Sequence, residues 1–327
     1  MKNDRKDTAS SQSGVTMVEL MVALAIGSFL MIGAIQVYSQ SRQAYVINDS
    51  IARVQETAQF AMDTVEADLR MASNWGQNSR GSSIEGRAIV GDANPLALVG
   101  IPGTCGANWV LNISRPLEGT NNNYALPCAA NGGAQANSDV ITTRRATAAV
   151  MPLEAGRIQI QSTRIQGQVF NNGIVPAAFD PLVSETHNLL VNSYYVSADS
   201  ALIPGVPTLR RKTLTVTAGA ATIDDQEVAP GIENMQLQFG VDVDNDNTVD
   251  RYVDPGDAIF NPADAAFIPG AVVITARIWL LVRSISVETG LADNRDYEPG
   301  DVDLGVYNDS MRRLLVSKTI LLRNARS

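Results

Sequence analysis

The most apolar part of the chain is the stretch from residue 15 to residue 37, in which Glu19 is the only charged side chain. A helix rises about 1.5 Å per residue, so these 23 residues match the roughly 30 Å hydrocarbon core of a bilayer. Lys2, Arg5 and Lys6 precede the stretch, and basic residues favour the cytoplasmic side. The pattern predicts a membrane helix with a cytoplasmic N-terminus.

Beyond this stretch, apolar side chains recur every three or four residues, which is the period of a helix with one buried face. The pattern predicts that the helix continues to about Ser73. Gly76 is the expected stop, because glycine readily adopts the left-handed conformation that ends helices. The apolar stripe consists of Ile47, Ile51, Val54, Ala58, Ala61, Val65 and Leu69.

From residue 75 onward, short runs of alternating apolar and polar residues are separated by Gly, Pro, Asn and Asp. A period of two is typical of half-buried antiparallel strands, so a mainly β head is expected. Residues 115–138 and 287–310 have the composition of loops. The predicted strands are 88–90, 140–143, 157–160, 189–196, 214–217, 235–239, 272–282 and 314–322.

Composition and charge narrow the possible functions. The 327 residues are 45% hydrophobic, which is enough for a substantial core. The 34 acidic residues outnumber the 25 basic ones, and a net charge of -9 argues against a nucleic-acid partner. His187 is the only histidine and has no visible triad partner, so no catalytic site is expected.

The chain has two cysteines, Cys105 and Cys128, in a region rich in Gly, Asn and Pro. An even count in an exported protein predicts one disulfide. Closing this loop would stabilise the fold by roughly 3 kcal/mol. The alternative is a pair of reduced thiols.

An acidic segment, DVDNDNTVD at residues 242–250, places carboxylates at relative positions 1, 3, 5 and 9. Calcium loops of the EF-hand kind use these positions together with a backbone carbonyl at position 7. Two departures are Asn247 at position 6, where glycine is usual, and Val253 at position 12. The alternative is an Asx-rich turn between a strand ending at 241 and a short strand at 249–253. The candidate calcium ligands are Asp242, Asp244, Asp246, Thr248 through its carbonyl, and Asp250.

Residues 14–19, GVTMVE, resemble the class III leader of type IV pilins and pseudopilins. In that family a membrane peptidase cuts after the glycine and methylates the new N-terminus, and a glutamate occupies mature position five. The resemblance implies cleavage between Gly14 and Val15, methylation of Val15, and Glu19 at that fifth position. One departure is Val15, where the family more often has phenylalanine.

Two other interpretations of the segment remain. A cleaved secretory signal would need a small-residue site after the apolar run, for which residues 39–41 are a tolerable candidate. A plain uncleaved anchor explains the length but leaves Glu19 unexplained, because a carboxylate in a spanning helix costs about 2.5–3.5 kcal/mol. The pilin resemblance accounts for it: Glu19 would neutralise the new amine, on its own or a neighbouring subunit, during filament assembly.

The chain as a whole is similar to the PilW minor pilins of type IV pili. Each matching block alone is a generic strand, so the resemblance depends on the order of the blocks after the leader. The blocks are SDVIT at 138–142, YYV at 194–196, LRR at 209–211, GIENMQLQFGVD at 231–242, ARIWLLVRS at 276–284, RR at 312–313 and LLRN at 321–324.

The resemblance implies an α+β, pilin-like fold in which a long N-terminal helix packs on a mainly antiparallel β head. Its parts would be a leader at 1–14, a transmembrane half-helix at 15–38, an amphipathic half-helix at 39–74 and a periplasmic head at 75–327. No cofactor is required by the family; calcium is the one candidate.

The implied function is that of a minor pilin, which is held in the inner membrane, processed by prepilin peptidase and then placed at the pilus tip. There it would prime assembly with other minor pilins, the major pilin, a tip adhesin and the inner-membrane assembly platform. The alternatives are a type II secretion pseudopilin of the GspJ kind and, from another class, a membrane-anchored calcium-dependent adhesin or surface enzyme.

Overall fold

The structure, a computed structural model, describes residues 14–88 and 109–325. These residues form one long helix, α1 (Met17–Met71), and twelve β-strands, with short 3₁₀ turns between them. They fall into two compact units that divide between Ile51 and Ala52, so α1 contributes to both. The fold is therefore α+β, as predicted.

Two β-sheets make up most of the second unit. The strands are β1 (Ile84–Glu85), β2 (Leu117–Thr120), β3 (Val140–Ala146), β4 (Ala155–Ser162), β5 (Gly167–Asn172), β6 (Glu185–Ser197), β7 (Thr208–Thr217), β8 (Ala220–Pro230), β9 (Ile232–Asp242), β10 (Arg251–Val253), β11 (Val272–Arg283) and β12 (Arg313–Leu321). The larger sheet has the order β1-β5-β4-β6-β3-β2, and β7 pairs with both β6 and β8. The smaller sheet has the order β10-β9-β11-β12. Pairing is antiparallel between all these strands except β1 and β5.

In the first unit, the part of α1 up to Val37 is apolar on every side, with Glu19 as its only charged residue. Each side chain from residue 14 to residue 49 is exposed, and large apolar ones such as Phe29 and Leu30 are among them. The mean hydropathy reaches 2.2 over 18 residues, and α1 is the one helix among the described residues long and apolar enough to cross a membrane. A helix that is apolar all round is typical of a lipid environment.

In the second unit, α1 presents a single apolar face, and the predicted stripe is confirmed from Val54 onward. Ile47 is exposed and Ile51 is half-buried. The buried face belongs to the same apolar cluster as the core side chains of β9 and β11. The buried members of the stripe are Val54, Ala58, Ala61, Val65 and Leu69.

Helix α1 ends at Met71, earlier than the predicted end near Ser73. Ser73 has a φ of 67°, and its N–H donates to the carbonyl of Arg144 in β3 at 3.4 Å. The N–H of Ala146 donates to the carbonyl of Asn74 at 2.6 Å. The helix stops here because the chain turns at Ser73 and the following backbone groups bond to β3.

Gly76, the predicted stop, has a different structural reason to be glycine. Its φ is 87°, and a Cβ at this position would lie 2.4 Å from both the His187 ring and the Ser162 hydroxyl. The chain therefore passes so close to β4 and β6 that no side chain fits at residue 76.

The predicted strands from 140–143 to 314–322 all overlap observed strands, namely β3, β4, β6, β7, β9, β11 and β12. The predicted strand 88–90 falls mostly outside the described residues. Strand β2 lies in a region predicted to be loop, and β5 and β8 were not predicted. Strand β8 is an edge strand that pairs with β7, and it lacks a regular apolar alternation because acidic side chains of β8 form ion pairs with basic ones of β7. Asp225 in β8, for example, accepts from Arg210 and Lys212 in β7 at 2.9 and 2.6 Å.

The loop-rich region 287–310 contains no strand among the described residues, as predicted, and ion pairs hold it to the sheet. Arg313 is buried and donates to Asp309 at 2.7 Å and to Glu233 of β9 at 2.6 Å. The Tyr307 ring lies 3.7 Å from the guanidinium. The hydrogen bonds from Arg313 lower the pKa of Asp309 to about 2.

One buried carboxylate joins α1 to the larger sheet. Asp68 is 4% exposed and accepts from the Tyr194 hydroxyl at 2.5 Å, the Asn192 amide at 2.6 Å and the Arg145 guanidinium at 2.7 Å. These donors lie on β3 and β6, whereas Asp68 lies on the last turn of the helix. A buried carboxylate is tolerated only when such bonds replace its hydration.

We expect Asp68→Ala to destabilise the second unit by about 3–5 kcal/mol, because Tyr194, Asn192 and Arg145 would lose their shared acceptor. Urea unfolding of the full-length protein in detergent, followed by near-ultraviolet circular dichroism, measures the loss. Asp63→Ala is the matched control: its side chain is 56% exposed and lies 3.9 Å from Lys318, so the loss should stay within about 1 kcal/mol. Equal losses in the two variants would contradict the anchoring role.

Candidate functional site

The residues at the predicted processing point form a helix cap. Helix α1 begins at Met17, so Thr16 is the residue that precedes it. The Glu19 carboxylate accepts from the Thr16 N–H and from the Thr16 hydroxyl, both at 3.0 Å, and the Glu19 N–H donates to the Thr16 hydroxyl at 3.3 Å. This reciprocal arrangement is a capping box, which satisfies N–H groups that the first turn leaves unpaired.

The pattern Thr-x-x-Glu at residues 16–19 is the usual sequence mark of a capping box and could have predicted this arrangement. It adds Thr16 to the residues of the site. The capping box also shows that the Glu19 side chain points toward the N-terminus. Its carboxylate therefore lies close to the backbone of Thr16, the residue after Val15.

The peptide bond between Gly14 and Val15 lies outside the helix and is accessible. Val15 is 72% exposed, and no heavy atom lies within 4 Å of the position that a Cβ on Gly14 would occupy. Proteolysis requires backbone that is free of regular structure and open to the enzyme. The geometry therefore suits cleavage at this bond, and a cut would place a new ammonium one residue before the N–H that Glu19 already accepts.

The acidic segment 242–250 forms the loop of the β9–β10 hairpin. Carboxylate oxygens of Asp242, Asp244 and Asp250 lie within 4.8 Å of one another, which is close enough to share one cation. Asp242 is buried, whereas the other two are exposed. A hard cation such as Ca²⁺ takes oxygen ligands of this kind.

Two of the five predicted ligands do not join this cluster. The Asp246 carboxylate instead accepts from the N–H and the hydroxyl of Thr248, both at 2.7 Å. Within the loop, Asn245 and Asn247 have φ values of 63° and 66°, so asparagine takes the place that glycine has in calcium loops.

The loop also contains the hydrogen bonds expected of an Asx-rich turn. The Asp242 carboxylate accepts from the N–H groups of Asn245 at 2.6 Å and Asn247 at 2.8 Å, and Asp250 accepts from Val243 at 2.7 Å. These hydrogen bonds match the Asx-rich turn, and calcium binding stays a prediction. The predicted strand at 249–253 is shorter in the structure, where β10 begins at Arg251.

Cys128 lies in the loop between β2 and β3, where its carbonyl accepts from the Tyr124 hydroxyl at 2.7 Å. Cys105 falls outside the described residues. The disulfide between the two stays a prediction.

Two family models match the chain. The prokaryotic N-terminal methylation motif matches residues 9–35, and the family of the type IV pilus-assembly protein W, PilW, matches residues 193–324. These matches fall on the leader and on the later blocks of the head, and they confirm the resemblance drawn from the sequence. Neither is an enzyme family.

Among solved structures, the chain is similar to the type IV-like pilin TTHA1219 from Thermus thermophilus, with 12% identity and a TM-score of 0.30. The similarity covers 61% of this chain and 83% of the pilin. No curated protein matches the chain.

If the hairpin cluster binds calcium, Asp244→Asn should remove one binding event, whereas Asp246→Asn should leave it intact. Both variants remove one exposed loop carboxylate, and only Asp244 belongs to the three-carboxylate cluster. Calorimetric titration of the full-length protein in detergent with CaCl₂ measures the difference. Equal weakening by the two substitutions would favour the EF-hand-like ligand set predicted from the sequence, and no weakening by Asp244→Asn would exclude the cluster as the binding site.

Proposed function

We propose that this type IV pilin-like protein, which carries a PilW domain behind an N-terminal methylation motif, is a minor pilin that primes pilus assembly and sits at the pilus tip. The observation that carries the proposal is the first part of α1, which is apolar on all sides, exposed, and begins at the predicted processing point. Such a helix needs lipid or other helices around it. A pilin has lipid around it before assembly and neighbouring helices afterwards.

Processing is the first step of the proposed function. A membrane peptidase cuts between Gly14 and Val15 and methylates the amine of Val15. The accessibility of this bond and its position before the helix support this step. The product is a membrane-anchored pilin that begins with a cationic N-terminus.

Assembly is the second step, and it gives Glu19 a further partner. Among the described residues, its carboxylate accepts from the N–H and the hydroxyl of Thr16, three residues earlier. An ammonium at Val15 offers a stronger, charge-assisted hydrogen bond. In a packed bundle of helices an unpaired ammonium is costly, so a carboxylate from the same or an adjacent subunit favours incorporation into the filament.

The proposed partners are other minor pilins, the major pilin, a tip adhesin and the inner-membrane assembly platform. The protein would first lie in the inner membrane with its head in the periplasm and then move to the pilus tip. The uncovered apolar surface of α1 supports assembly through the helix. The match to the PilW family supports a place among minor pilins.

Gly14→Val should block processing, because a side chain at the residue before the cut would enter the peptidase site. The substitution leaves the protein's own packing unchanged, since nothing lies near the Gly14 Cβ position. Gly33→Val is the control, because Gly33 is equally uncrowded and lies within the helix. Mass spectrometry should find the control without residues 1–14 and with one added methyl group, and the variant with its leader intact. Normal processing of Gly14→Val would contradict the proposed cleavage site.

A strain that lacks this protein, and has no redundant paralogue, should lose its surface pili and twitching. The wild-type gene should restore both, whereas Glu19→Ala and Glu19→Gln should not. Glutamine keeps an acceptor for the Thr16 N–H but carries no charge, so it separates helix capping from charge pairing. Electron microscopy and immunoblots of sheared pili provide the readout.

Glu56→Ala, which removes an exposed carboxylate farther along α1, should restore pili fully. Full restoration by Glu19→Gln would assign Glu19 to helix capping alone, and full restoration by Glu19→Ala would contradict any assembly role. Normal pili in the deletion strain, together with a loss of protein secretion, would favour the secretion pseudopilin instead.

A further inference from the structure

Strand β12 lies at the edge of the smaller sheet, and only one of its two sides is paired. It has nine residues and pairs with β11 without a register shift. Among the described residues, no strand pairs with its other side. The backbone groups on that side therefore form a free edge that another strand could use.

The register with β11 shows which residues of β12 face the free edge. In an antiparallel pair, alternate residues turn both backbone groups toward the neighbouring strand. At the two ends of β12, the Arg312 carbonyl accepts from Ser284 and the Leu322 N–H donates to Ile274, so the even-numbered residues face β11. The odd-numbered residues face away from it. Those in the free part of the edge are Leu315, Ser317, Thr319 and Leu321.

This edge lacks the features that usually keep edge strands from pairing with other chains, which are short length, proline, a bulge or charge. The strand contains no proline and no bulge. The Lys318 ammonium is directed at α1, where it contacts Glu66 and lies 3.9 Å from Asp63. Arg313 is buried and contacts Glu233. Neither charge is therefore free to repel an incoming strand.

The other sheet edges in the described part of the second unit are protected. Strands β1, β2 and β10 have only two, four and three residues. Strand β8 is longer, but its pairing with β7 has a register shift, and it contains Asp224, Asp225, Glu227 and Pro230. Among the described residues, β12 is thus the one long edge without protection.

The surface beside the free edge combines apolar area with negative charge. Leu314 and Val316, on the same side of β12 as α1, are half-buried and pack against the apolar cluster of the second unit. On α1, Phe60 is 57% exposed and the Asp63 side chain is 56% exposed. Residues three apart are neighbours on a helix surface. A strand that fits here has apolar side chains toward α1 and a basic one near Asp63.

A second copy of the chain does not suit this edge. Strand β12 runs in the same direction as the end of α1, because Lys318 contacts Glu66 and Asn324 donates to the Ala72 carbonyl at 3.3 Å. Two copies of β12 that pair about a two-fold axis are antiparallel, so the ends of their α1 helices would also run in opposite directions. Chains anchored in one membrane enter their second units from the same side. The occupant is therefore a different protein.

We propose that the free edge of β12 binds an extended segment of another protein by strand addition. The backbone of the segment pairs with the odd-numbered residues from Leu315 to Leu321, and a basic side chain faces Asp63. In this kind of binding, backbone hydrogen bonds give affinity and alternate side chains give specificity. The inference rests on the proposed function, which supplies a protein partner in the same assembly.

Ser317→Pro separates strand addition from folding. Proline lacks an N–H, and at residue 317 this N–H faces the free edge, so the bonds between β12 and β11 are kept. Ser317→Ala keeps the N–H and is the matched control. Each form of the full-length protein carries a photoreactive benzoylphenylalanine in place of Leu321, which is apolar and 42% exposed.

Irradiation of cells that produce each form, followed by immunoblotting and mass spectrometry, measures the contact. The forms with Ser317 and with Ser317→Ala should give the same crosslinked product with another protein. Ser317→Pro should reduce this product at least about tenfold. No product, a product with a second copy, or a product that Ser317→Pro leaves unchanged would overturn the proposal.

Hydrogen exchange of the wild-type protein keeps the test decisive if Ser317→Pro folds poorly. The Ser317 and Thr319 amides should exchange at least about tenfold more slowly in isolated cell envelopes than in the protein purified in detergent. The Lys318 amide, which faces β11, should be protected in both samples. Equal exchange of Ser317 and Thr319 in the two samples would contradict strand addition. These measurements do not count pili, so their outcome is separate from that of the deletion strain.

Discussion

The hydrogen bonds to Asp68 determine how the second unit is assembled. Apolar burial along Val54, Ala58 and Leu69 attracts the helix to the head but tolerates sliding and rotation, because it has no direction. A buried carboxylate does not tolerate them, since its lone pairs must all point at donors. Tyr194 and Asn192 supply those donors from one strand, β6. The helix can therefore satisfy Asp68 at one register only.

Two of the carboxylates on helix α1, Asp68 and Glu19, have opposite properties. Asp68 is buried and takes its partners from distant strands, so it can hardly change them without unfolding. Glu19 is exposed and bonds to Thr16, three residues away. Because this bond is local, the carboxylate can exchange it for a stronger, charge-assisted one without unfolding the helix. The same helix thus has a permanent anchor in the second unit and an exchangeable charge in the first.

The sequence pattern predicted those elements whose signal is local. The apolar stretch, the helical stripe from Val54 and strands such as β6 and β11 follow from periods of 3.6 and 2. The partners of Asp68 could not be predicted, because Asn192 and Tyr194 lie 124 and 126 residues away. Strand β8 was missed because its acidic side chains form ion pairs with basic ones of β7, so its sequence shows no apolar alternation.

The same division between local and distant contacts applies to the candidate sites. The spacing of Asp242, Asp244 and Asp250 indicated a cluster, and the structure brings them together. Spacing alone also included Asp246, which the structure assigns to Thr248, because position in a loop does not determine where a short side chain points.

The surplus of negative charge is unevenly distributed, and this affects what the head can bind. The guanidiniums of Arg144, Arg210 and Arg313 are buried, and each contacts a carboxylate within 2.9 Å. These basic groups therefore add little positive charge to the surface. The remaining acidic groups concentrate in exposed loops, including the β9–β10 hairpin and residues 296–303. A surface of this sign repels polyanions and attracts metal ions or basic surfaces of other proteins. We therefore expect partners that bind these loops to have positively charged surfaces. Partners that bind α1 should instead have apolar surfaces.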